Sequence, residues 1–325
     1  MRIIEVEPGN ACAHEAGAVV ALGCFDGVHL GHQALVRRMI GAARRARREA
    51  AVLTFEPHPV YVLGQNGAFL LTTLDEKAEL LHSMGVDRLL LARFTREFAE
   101  QSPAVFARTY LKEALGAAKV FVGFNFTFGK GGGGDPSLLV QLGRQLGFEV
   151  YVCPPVRIRE QVVSSTLVRA LLLEGRVEQA QAMLGRPHFL TATVVGGRGR
   201  GRKLGFPTIN LQWEAAKLLP APGVYAAEVR LPHGGRWPAV ANVGYRPTFG
   251  GGELVVEAHL MEFQGTLYGQ TVRLFFRARI RPEERFPSAE ALRRQIARDV
   301  ATARAILQGR RCRARPMSAA LRPDS

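Results

Sequence analysis

The sequence has few cysteines, no long apolar run and a shortage of acidic residues over its 325 positions. Its four cysteines are scattered and none forms a Cys-x-x-Cys pair, which argues against a disulfide framework or a zinc knuckle and favours reduced thiols. No stretch of roughly 18 or more apolar residues occurs, so we expect no membrane span. Glu5 and Glu7 stand where a signal peptide would have its apolar core, and we therefore expect a cytoplasmic protein.

Basic residues outnumber acidic ones, with 43 Lys and Arg against 28 Asp and Glu and a formal net charge of +15. This charge favours anionic partners, namely nucleic acid, membrane headgroups or nucleotide phosphates. The densest basic runs are separate and have no interleaved aromatic residues, so nucleic-acid binding is the less favoured alternative. These runs are 37–48, 198–203 and 310–322.

The first half of the chain alternates short apolar runs with helical patterns, and 47% of all residues are hydrophobic, which is enough for a packed core. The alternation predicts an α/β domain in which helices cover a parallel sheet. Ligands of such sheets bind outside the carboxyl ends of the strands. The predicted strands are 18–24, 51–55, 88–92, 119–122 and 149–153, and the predicted helices are 32–49, 74–83, 103–115 and 136–146.

The pattern changes in the second half, where β-branched runs separated by Gly and Pro follow a last helical piece at 175–184. Closely spaced strands predict a small antiparallel barrel or sandwich, and 288–307 has helical periodicity. We therefore predict domains at 1–186 and 187–308 and a disordered basic tail at 309–325. The predicted strands are 191–195, 224–231, 239–243, 254–261 and 271–279.

One glycine-rich motif, GCFDGVHLGH over 23–32, follows the first predicted strand and opens a helix. Gly27 and Gly31 permit a tight turn, and His29 and His32 share one face of the helix start. The free N–H groups and dipole of a helix N-terminus suit a phosphate, and imidazole donors stabilise charge that develops in a transition state. A metal-binding histidine pair and an incidental turn are the alternatives.

This motif resembles the HxGH signature of the nucleotidyltransferase superfamily. A second segment, SSTLVR over 164–169, resembles the late SSTxxR element of the same superfamily, whose hydroxyls and arginine contact the triphosphate. Without the resemblance, the second segment is equally a helix N-cap followed by a surface arginine. The resemblance implies His29, His32 and Arg169 as catalytic residues, and Gly23, Phe25, Asp26, Gly27, Gly31, Ser164, Ser165 and Thr166 as nucleotide-binding residues.

Two further segments, TFEPHP over 54–59 and VGFNFTFG over 122–129, are similar to the bacterial bifunctional riboflavin kinase/FMN adenylyltransferases, or FAD synthetases. The resemblance implies that Asn125 serves nucleotide or Mg²⁺. The aromatic residues equally fit a buried strand end, and we retain both interpretations. The run after Lys130 lacks the Ser or Thr of a P-loop and is interpreted as a hinge or lid. The implied flavin-binding residues are Phe55, Pro57, His58, Phe126 and Phe128.

In the second half, a basic glycine-rich run leads into GFPTIN over 205–210, which resembles the riboflavin kinase motif PTxN. The basic run alone would indicate RNA binding. The resemblance implies a glycine-rich flap over nucleotide phosphates, with oxygen atoms of Thr208 and Asn210 on Mg²⁺, which prefers hard ligands. The implied nucleotide-binding residues are Gly201, Lys203, Gly205, Thr208 and Asn210.

Glu257 lies on a predicted strand whose neighbouring positions Val256 and Ala258 face the opposite side. Alternation alone favours a solvated carboxylate. The resemblance, which extends to the segments 222–225, 242–249 and 267–269, implies that Glu257 is the base that takes a proton from the attacking alcohol. His259 on the same face is interpreted as a packing residue.

The resemblance covers about 17–308 and implies two successive reactions. The C-terminal domain would phosphorylate riboflavin with ATP to give FMN and ADP, and the N-terminal, Rossmann-like domain would join FMN and ATP to give FAD and pyrophosphate. Mg²⁺ is the expected cofactor. The alternatives are a relative with a single activity and a basic nucleic-acid-binding protein.

Overall fold

A computed structural model describes residues 1–6, 17–64, 67, 69–197, 199–246 and 253–311. The chain divides into two compact units. The N-terminal unit comprises Met1–Arg169, Ala182–Gly185 and Ala215–Leu218, and the C-terminal unit comprises Ala170–Gln181, Arg186–Glu214 and Leu219–Ser325. Each unit therefore contains a short segment that comes from the other side of the predicted boundary.

The centre of the N-terminal unit is a six-stranded parallel sheet. Its strands are β1 (Arg2–Val6), β2 (Val19–Leu22), β3 (Ala50–Glu56), β4 (Arg88–Arg93), β5 (Lys119–Gly123) and β6 (Glu149–Cys153). The order β1-β4-β3-β2-β5-β6 places β2 and β3 inside the sheet, where burial on both faces explains their continuous apolar sequence. The predicted parallel α/β architecture is confirmed. The edge strand β1 is additional, because its charged and exposed residues hide the strand pattern.

Helices cover this sheet, and local caps fix where several of them begin. Thr73 and Glu76 form a capping box at the start of α3, and Asp135 precedes Pro136 at the start of α6. The predicted single helix 103–115 is instead a short α-helix that continues as a π-helical segment, Ala107–Ala114. The helices are α1 (Leu30–Arg45), α2 (Pro59–Val62), α3 (Leu74–Ser83), α4 (Arg96–Ala99), α5 (Pro103–Phe106) and α6 (Pro136–Leu146).

Beyond β6, the chain forms a two-stranded ribbon and two helices. The ribbon is antiparallel and consists of β7 (Arg157–Ile158) and β8 (Gln161–Val162). The helices are α7 (Ser165–Leu173) and α8 (Val177–Leu184). Strand β8 ends just before the predicted SSTxxR element, whose hydroxyl residues therefore lie at the start of α7.

The C-terminal unit contains a closed antiparallel barrel, which confirms the predicted β architecture. Its strands are β9 (Phe189–Val195), β10 (Ile209–Gln212), β11 (Gly223–Arg230), β12 (Arg236–Arg246), β13 (Glu253–Leu260) and β14 (Thr271–Arg281). Neighbouring strands follow the order β10-β13-β12-β11-β14-β9. Alternate residues such as Val256 and Ala258 are buried, as the alternation predicted. Strand β10 was not predicted, because four residues next to a glycine-rich loop give too short a pattern.

Two helices accompany the barrel, the short α9 (Arg200–Lys203) and the long α10 (Ala289–Arg311). Ala303 and Leu307 of α10 pack with Val224 and Ala278 of the strands in one apolar cluster. The predicted helix 288–307 is thus confirmed, and it extends a few residues further. The tail predicted to be disordered lies outside the described residues from position 312 onward. Among the described residues, no helix is long and apolar enough to cross a membrane.

Candidate active sites

The chain turns sharply between β2 and α1. Phe25 and Val28 have φ angles of 49° and 39°, a left-handed conformation that costs a non-glycine residue roughly 1–3 kcal/mol. Gly27 has φ 81°, and a Cβ atom there would lie 2.8 Å from Cδ1 of Leu71. Because the side chains of Phe25 and Val28 are buried, packing holds the strained loop in place. Such strain is concentrated at functional sites in proteins.

The two histidines of the motif lie at the first turn of α1, which begins at Leu30, before the predicted start. His29 is the N-cap, and its Nδ1 accepts a hydrogen bond from the His32 N–H at 3.2 Å. The two imidazole rings stack with centroids 3.6 Å apart. A Cβ atom at Gly31 would lie 3.1 Å from the His29 ring, so the absence of a side chain at Gly31 leaves room for that ring. Since Nδ1 accepts, the proton of a neutral His29 ring resides on Nε2.

The start of α7 contributes the second predicted motif. Ser164 caps the helix, because its Oγ accepts the Leu167 N–H at 3.2 Å. The Ser165 hydroxyl donates to the Asp26 carbonyl at 2.9 Å and so joins the two motifs. Thr166 is exposed. The helix-cap interpretation is therefore confirmed for Ser164, and the Thr166 hydroxyl is open to the cleft described below.

Asp26 and Arg169 form a buried ion pair, with Nη2 of Arg169 2.6 Å from Oδ2 of Asp26. The carboxylate also accepts the N–H groups of Leu71 and Thr72 at 3.1 and 3.0 Å. Arg169 donates from Nε to the Phe69 carbonyl, and its guanidinium carbon lies 3.5 Å from the Phe69 ring centroid. In this structure the two side chains hold the 69–72 loop, and their predicted contacts with nucleotide stay predictions.

A cleft of about 540 Å³ lies at the carboxyl ends of β2, β3, β5 and β6. This is the position where parallel sheets bind ligands, as predicted. The N-terminal turns of α1 and α7 both reach it, so two positive helix ends meet at one cleft. We call it the N-terminal cleft. Of the predicted residues, it is lined by Gly23, Phe25, His29, Gly31, His32, Phe55, Asn125, Phe126, Phe128, Ser164, Ser165 and Thr166.

Aromatic side chains form one wall of the N-terminal cleft. Phe126 and Phe128 stack with ring centroids 5.6 Å apart, and Phe55 meets Phe94 and Phe98 edge to face. Sequence patterns did not single out Phe94, which follows β4, or Phe98, which lies in α4, because each is an ordinary apolar residue until the fold brings it to the cleft. The flat apolar wall suits a flat ring system.

Pro57 and His58, also predicted to contact flavin, are not among the described residues that line the cleft. The His58 imidazole caps α2, by accepting the Val60 N–H, and packs on Phe69 at a centroid distance of 5.4 Å. Burial lowers the pKa of His58 to about 4 and raises the pKa of the Cys24 thiol to about 11. Both groups are therefore neutral near pH 7.

One lysine, Lys77 of α3, is buried near the motif at 23–32. Its Nζ lies 3.4 Å from Oγ1 of Thr54, which itself donates to the Cys24 carbonyl. Burial lowers the pKa of Lys77, and the Asp26 carboxylate opposes that shift. Sequence reasoning missed Lys77, since a lysine in an amphipathic helix is usually solvated.

In the C-terminal unit, Asn210, Glu257 and Asn242 stand side by side on β10, β13 and β12. The strand register pairs Asn210 with Glu257, and Glu257 with Asn242. Because directly opposed residues share a face, these side chains lie opposite to the buried Val256 and Ala258. We call this polar set the barrel row. The structure thus brings together Glu257 and Asn210, which are distant in the sequence.

The loop before β10 places Thr208 next to the barrel row. A Cβ atom at Gly201 would lie 2.4 Å from the Phe206 carbonyl and 3.1 Å from Oγ1 of Thr208, so this position requires glycine. Gly205 has φ 87°, in the left-handed region. His259 supports the loop through Nδ1, 2.8 Å from the Pro207 carbonyl, which agrees with a packing role. The side chain of Lys203 lies outside the described part of the chain.

Two residues of the barrel unit were not predicted as site residues. A Cβ atom at Gly244 would lie 1.9 Å from Oε1 of Glu283 and 3.0 Å from Nδ2 of Asn242. The Glu283 carboxylate therefore lies over Gly244, close to the end of the barrel row. Asn242 belongs to a segment that carried the family resemblance, and strand alternation could have identified it; Glu283 follows β14 and carried no such signal.

No group of three or more His, Cys, Asp or Glu side chains that could hold a metal ion occurs among the described residues. Among the described residues, therefore, no third His, Cys, Asp or Glu ligand accompanies His29 and His32, as a metal-binding histidine pair would need. Mg²⁺ bound mainly by phosphates needs fewer protein ligands.

Comparison with known proteins identifies the family. Residues 12–167 match the family described as FAD synthetase, and residues 184–307 match riboflavin kinase. The chain is 37% identical over 292 residues to the bifunctional riboflavin kinase/FMN adenylyltransferase of Listeria monocytogenes, which covers 88% of this chain and 91% of that protein. The relative of the same name from Escherichia coli K12 is 37% identical over 305 residues, covering 94% and 97%.

A solved structure from Streptococcus pneumoniae, described as a macrolide-efflux protein, superposes with a TM-score of 0.85 at 32% identity and covers 94% of this chain and 99% of its own. That description differs from the names of the sequence relatives. The two family matches, the relatives and the two constellations of side chains agree with one another. The chain belongs to the family of bifunctional riboflavin kinase/FMN adenylyltransferases.

Proposed function

We propose that this protein makes FAD from riboflavin in two steps, phosphorylation in the barrel unit and adenylyl transfer in the N-terminal unit. The observation that carries the proposal is the pairing of two unlike sites on one chain. One is a cleft where two helix N-termini and two imidazoles meet beside an aromatic wall. The other is a carboxylate flanked by two amides on a strand face.

In the adenylyl transfer, a phosphate oxygen of FMN attacks the α-phosphorus of ATP, and pyrophosphate leaves with the electrons of the broken P–O bond. The FMN phosphate is already an anion, so this step needs no general base. The His29 and His32 residues and the first turns of α1 and α7 line the cleft in which negative charge builds up. Positioning and charge stabilisation are therefore sufficient.

The aromatic wall fits the isoalloxazine ring of FMN. Phe55, Phe126 and Phe128 supply flat apolar surface, and the exposed Asn125 and Thr166 supply polar groups at the same cleft. Phe94 and Phe98 join the proposed flavin residues. We place the triphosphate at the helix ends. Its negative charge then lies at the positive helix ends, and the isoalloxazine ring lies at the aromatic wall.

In the kinase step, the terminal ribityl hydroxyl of riboflavin attacks the γ-phosphorus of ATP and ADP leaves. Glu257 accepts the proton that the hydroxyl loses. Asn210 and Asn242 occupy the positions opposite Glu257 on the two neighbouring strands, from which their amide groups would orient the carboxylate. Thr208 and the backbone at Gly201 and Gly205 would approach the phosphates from the adjoining segment.

The donor set beside the barrel row fits Mg²⁺, because the Thr208 hydroxyl, the Asn210 amide and the Glu257 carboxylate all present hard oxygen atoms. Thr208 and Asn210 would hold the ion with the ATP phosphates, and Asn125 would do so in the N-terminal cleft. When bound, Mg²⁺ neutralises charge on the triphosphate.

The test is incubation of purified protein with riboflavin, ATP and Mg²⁺, followed by chromatographic separation of the flavins. FMN should appear first and FAD after it. A second incubation that starts from FMN isolates adenylyl transfer. FMN without FAD in both incubations would favour the single-activity alternative, and unchanged riboflavin together with unchanged FMN would contradict the proposal.

The nucleic-acid-binding alternative makes a separate prediction. It expects salt-sensitive binding to RNA or DNA with a steep decline of affinity in log–log form, and no ATP turnover. Simple phosphate binding does not require the carboxylate and amides of the barrel row, so the site chemistry favours the enzyme.

A further inference from the structure

We propose that Lys217 is a positioning residue for the N-terminal cleft, although it lies in the part of the sequence that matches riboflavin kinase. The inference rests on the adenylyl transfer proposed above. Its starting point is the segment Ala215–Leu218, which belongs to the N-terminal unit. The N-terminal unit therefore includes residues that the chain supplies from about fifty positions beyond the motif at 164–169.

Backbone hydrogen bonds join this segment to the 69–72 loop. The Ala216 carbonyl accepts the N–H groups of Phe69 and Leu70, both at 2.9 Å, and the Leu218 N–H donates to the Leu70 carbonyl at 2.8 Å. Leu70 and Lys217 form a parallel bridge. The loop is thus paired with the segment as one strand pairs with another, and its backbone path depends on the segment.

The Lys217 side chain adds two buried contacts. Its Nζ lies 2.7 Å from the Leu71 carbonyl and 2.5 Å from Oε2 of Glu76, and the side chains of Lys217 and Glu76 are 1% and 2% exposed. Oε2 of Glu76 also accepts the Thr73 N–H in the capping box of α3. One cation therefore fixes the loop carbonyl and the charged cap that follows it.

The same loop holds the catalytic motifs in place from its other side. Leu71 accepts from Lys217 through its carbonyl and donates through its N–H to Asp26. Thr72 accepts the Gly27 N–H at 3.0 Å through Oγ1. Asp26 in turn binds Arg169 at 2.6 Å. A single residue, Leu71, therefore connects Lys217 with Asp26 of the strained loop that precedes His29.

The contacts have a mechanistic consequence. Loss of Lys217 removes the donor to the Leu71 carbonyl and leaves the buried Glu76 carboxylate without this cation. The backbone bonds to Phe69 and Leu70 remain, but Leu71 loses its side-chain donor and is held less firmly, and with it the Asp26–Arg169 pair and Gly27. Because the chemistry depends on placing the triphosphate against preorganised donors, the expected defect is weaker productive binding of ATP.

The test uses the full-length protein with Lys217→Met, which keeps the length and removes the charge. FAD formation from supplied FMN is measured for kcat and for KM of ATP, beside FMN formation from riboflavin. We expect KM of ATP in adenylyl transfer to rise about tenfold, with kcat within about threefold and the kinase reaction within about twofold. Arg281→Met is the matched control, because it breaks the buried Arg281–Asp299 pair of the other unit; it should leave KM of ATP for FAD formation unchanged.

A double variant separates positioning from stability. Glu76→Gln together with Lys217→Met removes both charges of this buried pair, so the melting temperature should recover most of what Lys217→Met loses, while KM of ATP stays high because the Leu71 carbonyl still lacks the Lys217 donor. Recovery of both quantities would show a purely structural role and overturn the inference, as would a KM within twofold in Lys217→Met. Absence of FAD formation by the wild-type protein would instead overturn the proposed function.

The coupling to Asp26 gives a further readout. If Lys217 acts through the loop, the losses of kcat/KM caused by Asp26→Asn and by Lys217→Met should not multiply. The double variant should have a kcat/KM within about threefold of the worse single variant. Effects that multiply would mean that Lys217 does not act through Asp26 and would overturn the inference.

Discussion

The two proposed sites both serve phosphate transfer, but they are built from different secondary structure and from side chains of different chemistry. The N-terminal cleft combines helix ends, stacked imidazoles and a strained loop, and the Asp26 carboxylate of its motif is buried in an ion pair. The barrel row uses extended strands and presents the Glu257 carboxylate between two amides. In the proposed mechanism, the cleft would supply hydrogen-bond donors and the barrel row would supply a proton acceptor.

The difference follows from the nucleophile. A phosphate arrives as an anion, so a site for it needs donors and exact placement of the reactants, which backbone N–H groups at helix ends supply. A primary alcohol must lose a proton during attack, so its site needs a base. Strand faces are suitable for this purpose because a side chain in the row is accessible while its neighbours are anchored in the core.

Glu257→Gln tests the comparison most severely. It removes the base while keeping an amide of similar shape, so FMN formation should fall by about 10²–10⁴-fold. FAD formation from supplied FMN should stay within twofold, since no base serves that reaction. Steady-state rates of both reactions, measured on the same preparation, check this. A kinase rate within about threefold of wild type, under ~1 kcal/mol of barrier, would contradict the assignment.

His29→Ala should produce the mirror image. It removes an imidazole donor and the N-cap of α1, so FAD formation should fall by about 10²–10³-fold, the usual effect of losing a charge-stabilising donor. FMN formation should stay unchanged. His29→Asn is the matched variant, because asparagine restores the cap without the imidazole. If asparagine recovers full FAD formation, capping and not charge stabilisation is the role of His29.

Asn242→Ala sharpens the description of the barrel row. Loss of one flanking amide should lower the kinase kcat by about tenfold, less than loss of Glu257, because the base remains and only its orientation is affected. Gly244→Ala is informative beside it, since the added Cβ would collide with Glu283. A rate equal to wild type in Asn242→Ala would remove this residue from the site.

The smallest effect concerns acid stability of the N-terminal unit. The pKa of His58 is lowered to about 4 by burial, against an ordinary value of 6.5. Between these values the unfolded chain binds more protons, so the stability that neutral His58 permits is present above pH 6.5 and is lost as the pH falls toward 4. His58→Gln should flatten this loss by roughly 1–2 kcal/mol. Melting curves from pH 4 to 7.5 check it; an unchanged pH slope would contradict the buried, neutral imidazole.

Much of the fold was predictable because it is encoded in local periodicity. The buried runs of β2 and β3 and the alternation in β13 follow from burial on two faces or on one. The π-helical segment after α5 and the four-residue β10 were not predictable, because both depend on packing partners rather than on a repeated pattern. The motifs predicted His29, Asn210 and Glu257 as site residues, since each stood in a specific run of residues, and their catalytic and binding roles stay predictions.

The sequence by itself determined the classes of the two folds and the candidate motif residues of the two proposed sites, because helix periodicity, strand alternation and glycine-rich turns are written in neighbouring residues. Only the tertiary structure decided that Asn242 pairs with Glu257, that Phe94 and Phe98 reach the cleft, and that Lys217 bonds the Leu71 carbonyl. These relations connect positions far apart along the chain. They arise from sheet register and from the burial of charge against a distant partner, which no local pattern records.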